Sequence, residues 1–94
     1  MATTYILYSK TIDSFYIDSC LDLKIRMKEH QQNIFEKSFT KRADDWTVFI
    51  QINELEYNQA RLIEKHIKEM KSKAYIQNLN RYPEMIQKLT SKYK

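Results

Sequence analysis

Glycine is absent from this chain, and proline and cysteine occur once each. With no glycine, no Gly-rich loop can cradle a phosphate, so the nucleotide-binding Rossmann and P-loop functions are excluded. Every tight turn must instead be made by Asn, Asp, Ser or Lys residues, without glycine's easy access to positive φ. The single cysteine, Cys20, cannot form an intramolecular disulfide and cannot by itself build a zinc site. Long apolar runs are missing too. The longest is Tyr5-Ile6-Leu7-Tyr8, far short of the roughly 20 residues that cross a bilayer. The first residues show no basic segment followed by an apolar stretch, the pattern of a secretory leader. The expectation is a soluble, cytoplasmic protein with no membrane association.

What is present describes one folded unit. The 94 residues, 43% apolar and 13% aromatic, are enough for one modest core and too few for two. Residues 1–94 are therefore read as a single domain, without repeats, low-complexity tracts or linkers. The net charge is +4, from 16 Lys and Arg against 12 Asp and Glu. The excess lies mostly in segments 37–42, 65–73 and 88–94. A basic balance is compatible with a polyanionic partner, but charge alone is equally that of a solvated surface.

Aromatic and β-branched residues in Tyr5–Tyr8 and Phe15–Ile17, joined by the polar stretch 10–14, predict an antiparallel hairpin over residues 3–9 and 13–18. Ser19 and Asp22, three apart, have the spacing of a capping box and predict a helix from Asp22 to Asn33. There Leu23, Met27, His30 and Ile34 recur at helical spacing, with Arg26 one turn before His30. Residues 35–45 read as a polar, basic loop carrying Lys41 and Arg42. Trp46–Ile52 is the clearest strand of the chain. A long helix over Tyr57–Lys71 should bury Ala60, Ile63, Ile67 and Met70, with Glu64 on that inward side. One helix or two short ones close the chain, with Pro83 starting or interrupting a turn. The order is β-β-α-β-α-α, an α+β fold with a small three-stranded antiparallel sheet flanked by helices.

Three features carry chemistry: the Arg26–His30 pair, the carboxylate of Glu64 on an apolar helix face, and Tyr5 and Tyr16 on adjacent strands. Each has an ordinary explanation by itself. A lone histidine is usually structural, Glu64 has Lys65 and Lys68 as surface partners, and strand tyrosines usually fill cores.

Their ordered set resembles the GIY-YIG nuclease family, in its bacterial single-domain branch. The resemblance rests on Tyr5-Ile6-Leu7, then Tyr16-Ile17-Asp18-Ser19, then Asp22-Leu23, Arg26 and His30. Phe39-Thr40-Lys41-Arg42, Trp46, Ala60 to Lys68 with Glu64 inside it, and Tyr75-Ile76 continue the pattern, over about residues 4–80. It implies a DNA endonuclease with Mg²⁺ or Mn²⁺ as cofactor and little sequence specificity, acting as monomer or homodimer. Tyr5, Tyr16, Arg26, His30 and Glu64 would be the catalytic set, with Glu64 also the metal ligand and Lys41 and Arg42 contacting nucleic acid. The chemistry suits these residue types. A carboxylate-held divalent ion acts as Lewis acid at phosphate, Arg26 offers a guanidinium fork to a phosphoryl oxygen, and a tyrosine or histidine handles a proton. Two departures stand out: Asp18 replaces the glycine of the second motif, and Thr3 that of the first. The alternative reading is a catalytically weakened GIY-YIG-fold module that binds DNA. Cys20 is read as a small buried residue.

Overall fold

In the computed structural model, which describes residues 1–25 and 45–93, the first apolar run forms β1, Ala2–Ser9. It is the central strand of a three-stranded antiparallel sheet. β2 (Ser14–Cys20) lies on one side and β3 (Thr47–Leu55) on the other. Covered on both faces, almost every residue of β1 is buried, and its polar members Thr3, Thr4 and Ser9 each donate a side-chain hydrogen bond. Both outer strands run past the expected ends, β2 to Cys20 and β3 to Leu55.

The missing glycines leave a visible mark. Among the described residues three take positive φ: Asp13 at 47°, Glu54 at 59° and Lys71 at 47°. Asp13 closes the β1–β2 turn. Its carboxylate accepts from the Tyr8 hydroxyl at 2.8 Å, and its carbonyl accepts from Lys73 Nζ at 2.7 Å. The Tyr8 bond, followed by the Lys73 charge, holds the Asp13 carboxyl below the usual range, and the same bond raises the Tyr8 phenol. Asp45 secures the same end of the sheet, accepting from Ser9 Oγ at 2.5 Å and from Thr11 N at 3.0 Å. The Ser9 bond in particular lowers its carboxyl as well. Both anions are held by donors that favour the charged form.

Three helices follow β3. These are α1 (Tyr57–Met70), α2 (Lys73–Arg81) and α3 (Pro83–Lys92). Pro83 occupies the first turn of α3, where its missing N–H costs nothing, so it starts a separate helix. Ser72 caps α2 by accepting from Tyr75 N at 3.1 Å. Gln59 accepts from Glu56 N at 3.1 Å and donates to the Thr90 carbonyl at 2.9 Å, tying α1 to α3. His66 receives or donates at both ring nitrogens, to Tyr75 at 3.2 Å and Tyr93 at 2.9 Å.

The sheet separates two apolar clusters. On one face Ile6, Ile50 and Ile52 pack with Ala60, Ile63 and Ile67 of α1. On the other, Tyr5, Leu7, Cys20 and Trp46 gather with Tyr16 and Leu23. Each fully buried aliphatic side chain contributes about 1.5–3 kcal/mol. Cys20, 4% exposed, belongs to the second cluster, as expected of a small buried residue.

Two expectations are corrected. Met70 is 45% exposed rather than buried, because α1 ends there and the chain turns at Lys71 in left-handed geometry. Ser19 does not cap the helix that follows β2. It is still part of the strand, and Asp22 is the capping residue, its Oδ1 accepting from Ile25 N at 3.3 Å. That helix is described only over its first turn, residues 23–25. Met27, Arg26, His30, Ile34, Lys41 and Arg42 lie outside the described residues. Among the described residues, no helix is long and apolar enough to cross a membrane.

Candidate active site

Strand register assembles the site. Tyr5 pairs with Asp18 and Leu7 with Tyr16, so Tyr5, Tyr16 and Asp18 share one face of the hairpin. Both phenols donate to the same oxygen, Asp18 Oδ2, Tyr5 at 3.3 Å and Tyr16 at 3.1 Å. The other carboxylate oxygen, Oδ1, accepts from the backbone N–H of Ser19 at 2.8 Å. Tyr5 is fully buried, and Tyr16 is half-buried with its ring edge-on to Trp46 at 6.3 Å.

The next residue turns to the opposite face. Side chains alternate along a strand, so Ser19 points toward α1 while Asp18 points away from it. There Ser19 Oγ donates to Glu64 Oε1 at 2.6 Å. Lys68, one helical turn beyond Glu64, binds Oε2 at 2.7 Å. Glu64 is 9% exposed, with a donor on each of its oxygens. Such a carboxylate is charge-compensated and fixed in orientation, so its cost of burial is largely offset. Of the two surface partners the sequence offered, Lys65 and Lys68, the structure uses Lys68.

Ser19 thus connects two anionic centres across the end of β2. The structure brings Tyr5 and Tyr16 to this end of the sheet on one face and Glu64 on the other, with Asp18 and Ser19 between them. Ser19 and Lys68 are the residues that motif reading did not place in the site. The signal for Ser19 was the two-residue period of β2, which puts it opposite Asp18. For Lys68 it was the i, i+4 spacing from Glu64.

A cleft of about 330 Å³ opens beside this junction, lined by residues 18–22, which include the carboxylates of Asp18 and Asp22, by Ile25, and by Tyr57 and Arg61 of α1. Among the described residues no cluster of three or more His, Cys, Asp or Glu is arranged to hold a metal. A hard divalent cation such as Mg²⁺ asks less, being commonly held by one or two carboxylates with waters and phosphate oxygens completing the shell. Glu64, an oriented oxygen donor at the rim of α1, fits that demand.

The GIY-YIG catalytic-domain family model matches residues 1–82. The chain belongs to the GIY-YIG family. No curated protein and no solved structure matches it. Its three-stranded antiparallel sheet flanked by helices is the α+β fold of this GIY-YIG domain. The family is one of endonucleases that act on DNA and are generally dependent on a divalent metal, so the domain has a nuclease-type function.

Proposed function

We propose that residues 1–94 form one cytoplasmic domain, monomeric or homodimeric, that hydrolyses DNA phosphodiester bonds with little sequence specificity. Tyr5, Tyr16, Arg26, His30 and Glu64 are its catalytic residues, and Lys41 and Arg42 contact nucleic acid. The observation that carries this reading is that adjacent residues of β2 hold both groups, Asp18 accepting from Tyr5 and Tyr16 on one face and Ser19 donating to Glu64 on the other.

Glu64 is the metal-binding residue, and Mg²⁺ or Mn²⁺ bound there supplies Lewis acidity at the phosphate. Ser19 fixes the Glu64 carboxylate from the sheet side, and Lys68 balances its charge from the helix side. Both hydroxyls donate to Asp18, so the half-buried Tyr16 can take a proton from water as its own passes to that carboxylate, with Tyr5 holding the carboxylate in place. Arg26 offers its guanidinium fork to a phosphoryl oxygen, a geometry that lysine lacks. His30, one turn later, assists proton transfer near neutral pH.

Asp18 favours a second reading, in which the domain binds DNA and cleaves it poorly. A carboxylate stands where the family motif has an uncharged glycine, and it would repel a scissile phosphate approaching the two tyrosines. Nicking of supercoiled plasmid in Mg²⁺ and in Mn²⁺ separates the two. The nuclease reading expects nicking by the wild type, with loss in Glu64→Ala and in Arg26→Ala. A wild type that binds plasmid and leaves it supercoiled in both metals rejects it, and nicking gained by Asp18→Gly then establishes the second.

A further inference from the structure

The surface of α1 beside Glu64 carries a pattern that hydrolysis alone does not require. Tyr57, Arg61, Glu64, Lys65 and Lys68 recur every three or four residues and so form one stripe along the helix. Glu64 lies on its inner edge, and the other members are exposed. Arg61, Lys65, Lys68 and Lys71 line a groove of about 480 Å³ together with Leu62, Glu64 and Glu69. The groove therefore holds four cations and two carboxylates, one of which already has Lys68 as partner. From Arg61 to Lys71 the helix rises about 15 Å, the axial length of roughly four nucleotides of one DNA strand.

Arg61 also lines the cleft that contains Asp18 and Ser19, so groove and cleft meet at this residue. Around the cleft three large apolar side chains are left in solvent: Leu21 at 69%, Ile25 at 57% and Tyr57 at 51% exposed. An exposed apolar cluster that rims a polar cleft marks a binding surface. A tyrosine and an arginine one helical turn apart match the two halves of a nucleotide, a ring face for the base and a guanidinium for the phosphate. A paired base is stacked inside its duplex and presents no free face to Tyr57. A base laid flat on Tyr57 is therefore an unpaired one.

Building on the nuclease reading above, we propose that the exposed face of α1 from Tyr57 to Lys71 is the track for one DNA strand with an unpaired nucleotide at the site. The base lies against Tyr57 between Leu21 and Ile25. The backbone follows Arg61, Lys65 and Lys71, which brings the strand past Glu64. The substrate class is DNA with a local single-stranded feature, such as a bulge, gap or flap, rather than uniform duplex.

The test is equilibrium binding of the full chain in EDTA, with a duplex probe and the same duplex carrying a five-nucleotide gap. Wild type is expected to bind the gapped probe more tightly. Tyr57→Ala should lower gapped-probe affinity about tenfold and leave duplex affinity unchanged. The triple variant Arg61→Gln, Lys65→Gln, Lys71→Asn should reduce the slope of log affinity against log salt by about 2–3. Circular dichroism checks that these surface variants stay folded. An unchanged salt slope in the triple variant, or a Tyr57→Ala protein that keeps the wild-type preference for the gap, overturns the proposal. Equal wild-type affinity for the two probes overturns it as well. Wild type that binds neither probe refutes the nuclease reading itself, which is a distinct result.

Discussion

Replacing Ser19 by alanine tests the joint between strand and helix on which the site depends. The Ser19 hydroxyl meets Glu64 Oε1 at 2.6 Å, and the two residues are only 6% and 9% exposed. Hydrogen bonds to charged groups contribute about 1.5–3 kcal/mol, and a buried acceptor that loses its donor also bears its desolvation. Lys68 remains on Oε2 at 2.7 Å and retains part of the charge compensation, so the expected loss is about 2 kcal/mol. With a urea dependence of about 1 kcal/mol per molar for a small domain, the unfolding midpoint should fall by roughly 2 M. The assay is equilibrium urea unfolding of wild type, Ser19→Ala, Glu64→Ala and the double variant. Because the two side chains touch, the cycle should be non-additive by about 1–2 kcal/mol. Strict additivity, or a single-variant loss below about 0.5 kcal/mol, would show that the bond does not hold Glu64 in place.

Other outcomes are expected elsewhere in the molecule. Asp18→Gly removes the shared acceptor of Tyr5 and Tyr16 and loosens β2, at a combined cost of about 2 kcal/mol. The melting temperature should fall by roughly 10 °C, and an unchanged value would show that the tyrosine contacts are not stabilising. Lys71→Gly should raise stability by about 1 kcal/mol, since Lys71 sits at φ 47° and glycine takes that conformation without strain. Lys65→Gly, inside α1, should lower it by about the same amount, and matching signs in thermal melts would refute the assignment of strain. Asp45 and Asp13 are held below the ordinary carboxyl range, so their stabilisation is present above about pH 4 and is lost as pH falls through their lowered values. Asp45→Asn should flatten the acid limb of a plot of urea midpoint against pH, and an unaltered limb would contradict that contribution.

Much of the fold was legible because its signals are local. The aromatic and β-branched runs around Tyr5, Tyr16 and Phe49 announced all three strands, and the spacing of Ala60, Ile63 and Ile67 announced α1. The far end of β3 was hidden because Asn53 and Glu54 are polar, and Glu54 takes a left-handed conformation within the strand. Ser19 was misread for a related reason. A serine just before an apolar helical pattern looks like a cap, and only the strand register reveals that β2 continues through it to Cys20. Tyr5, Tyr16 and Glu64 stood out as candidates from ordered motifs. The links of Tyr5 to Asp18 and of Glu64 to Ser19 did not, since they join residues 13 and 45 positions apart in the chain. Asp18 shows the limit most clearly: the sequence marks the absent glycine, but only the structure shows both phenols held by the carboxylate that replaced it.

The central claim is that Glu64 serves the chemical step rather than the binding of DNA. Glu64→Gln keeps the side chain's size and a carbonyl oxygen to accept from Ser19, while removing the negative charge that a divalent ion needs. Single-turnover cleavage of a gapped DNA at saturating protein in Mg²⁺, paired with affinity measured in EDTA, separates the two roles. The expected result is an affinity close to wild type with the cleavage rate lowered about 100-fold or more. A Glu64→Gln protein that cleaves within about threefold of wild type would contradict the account.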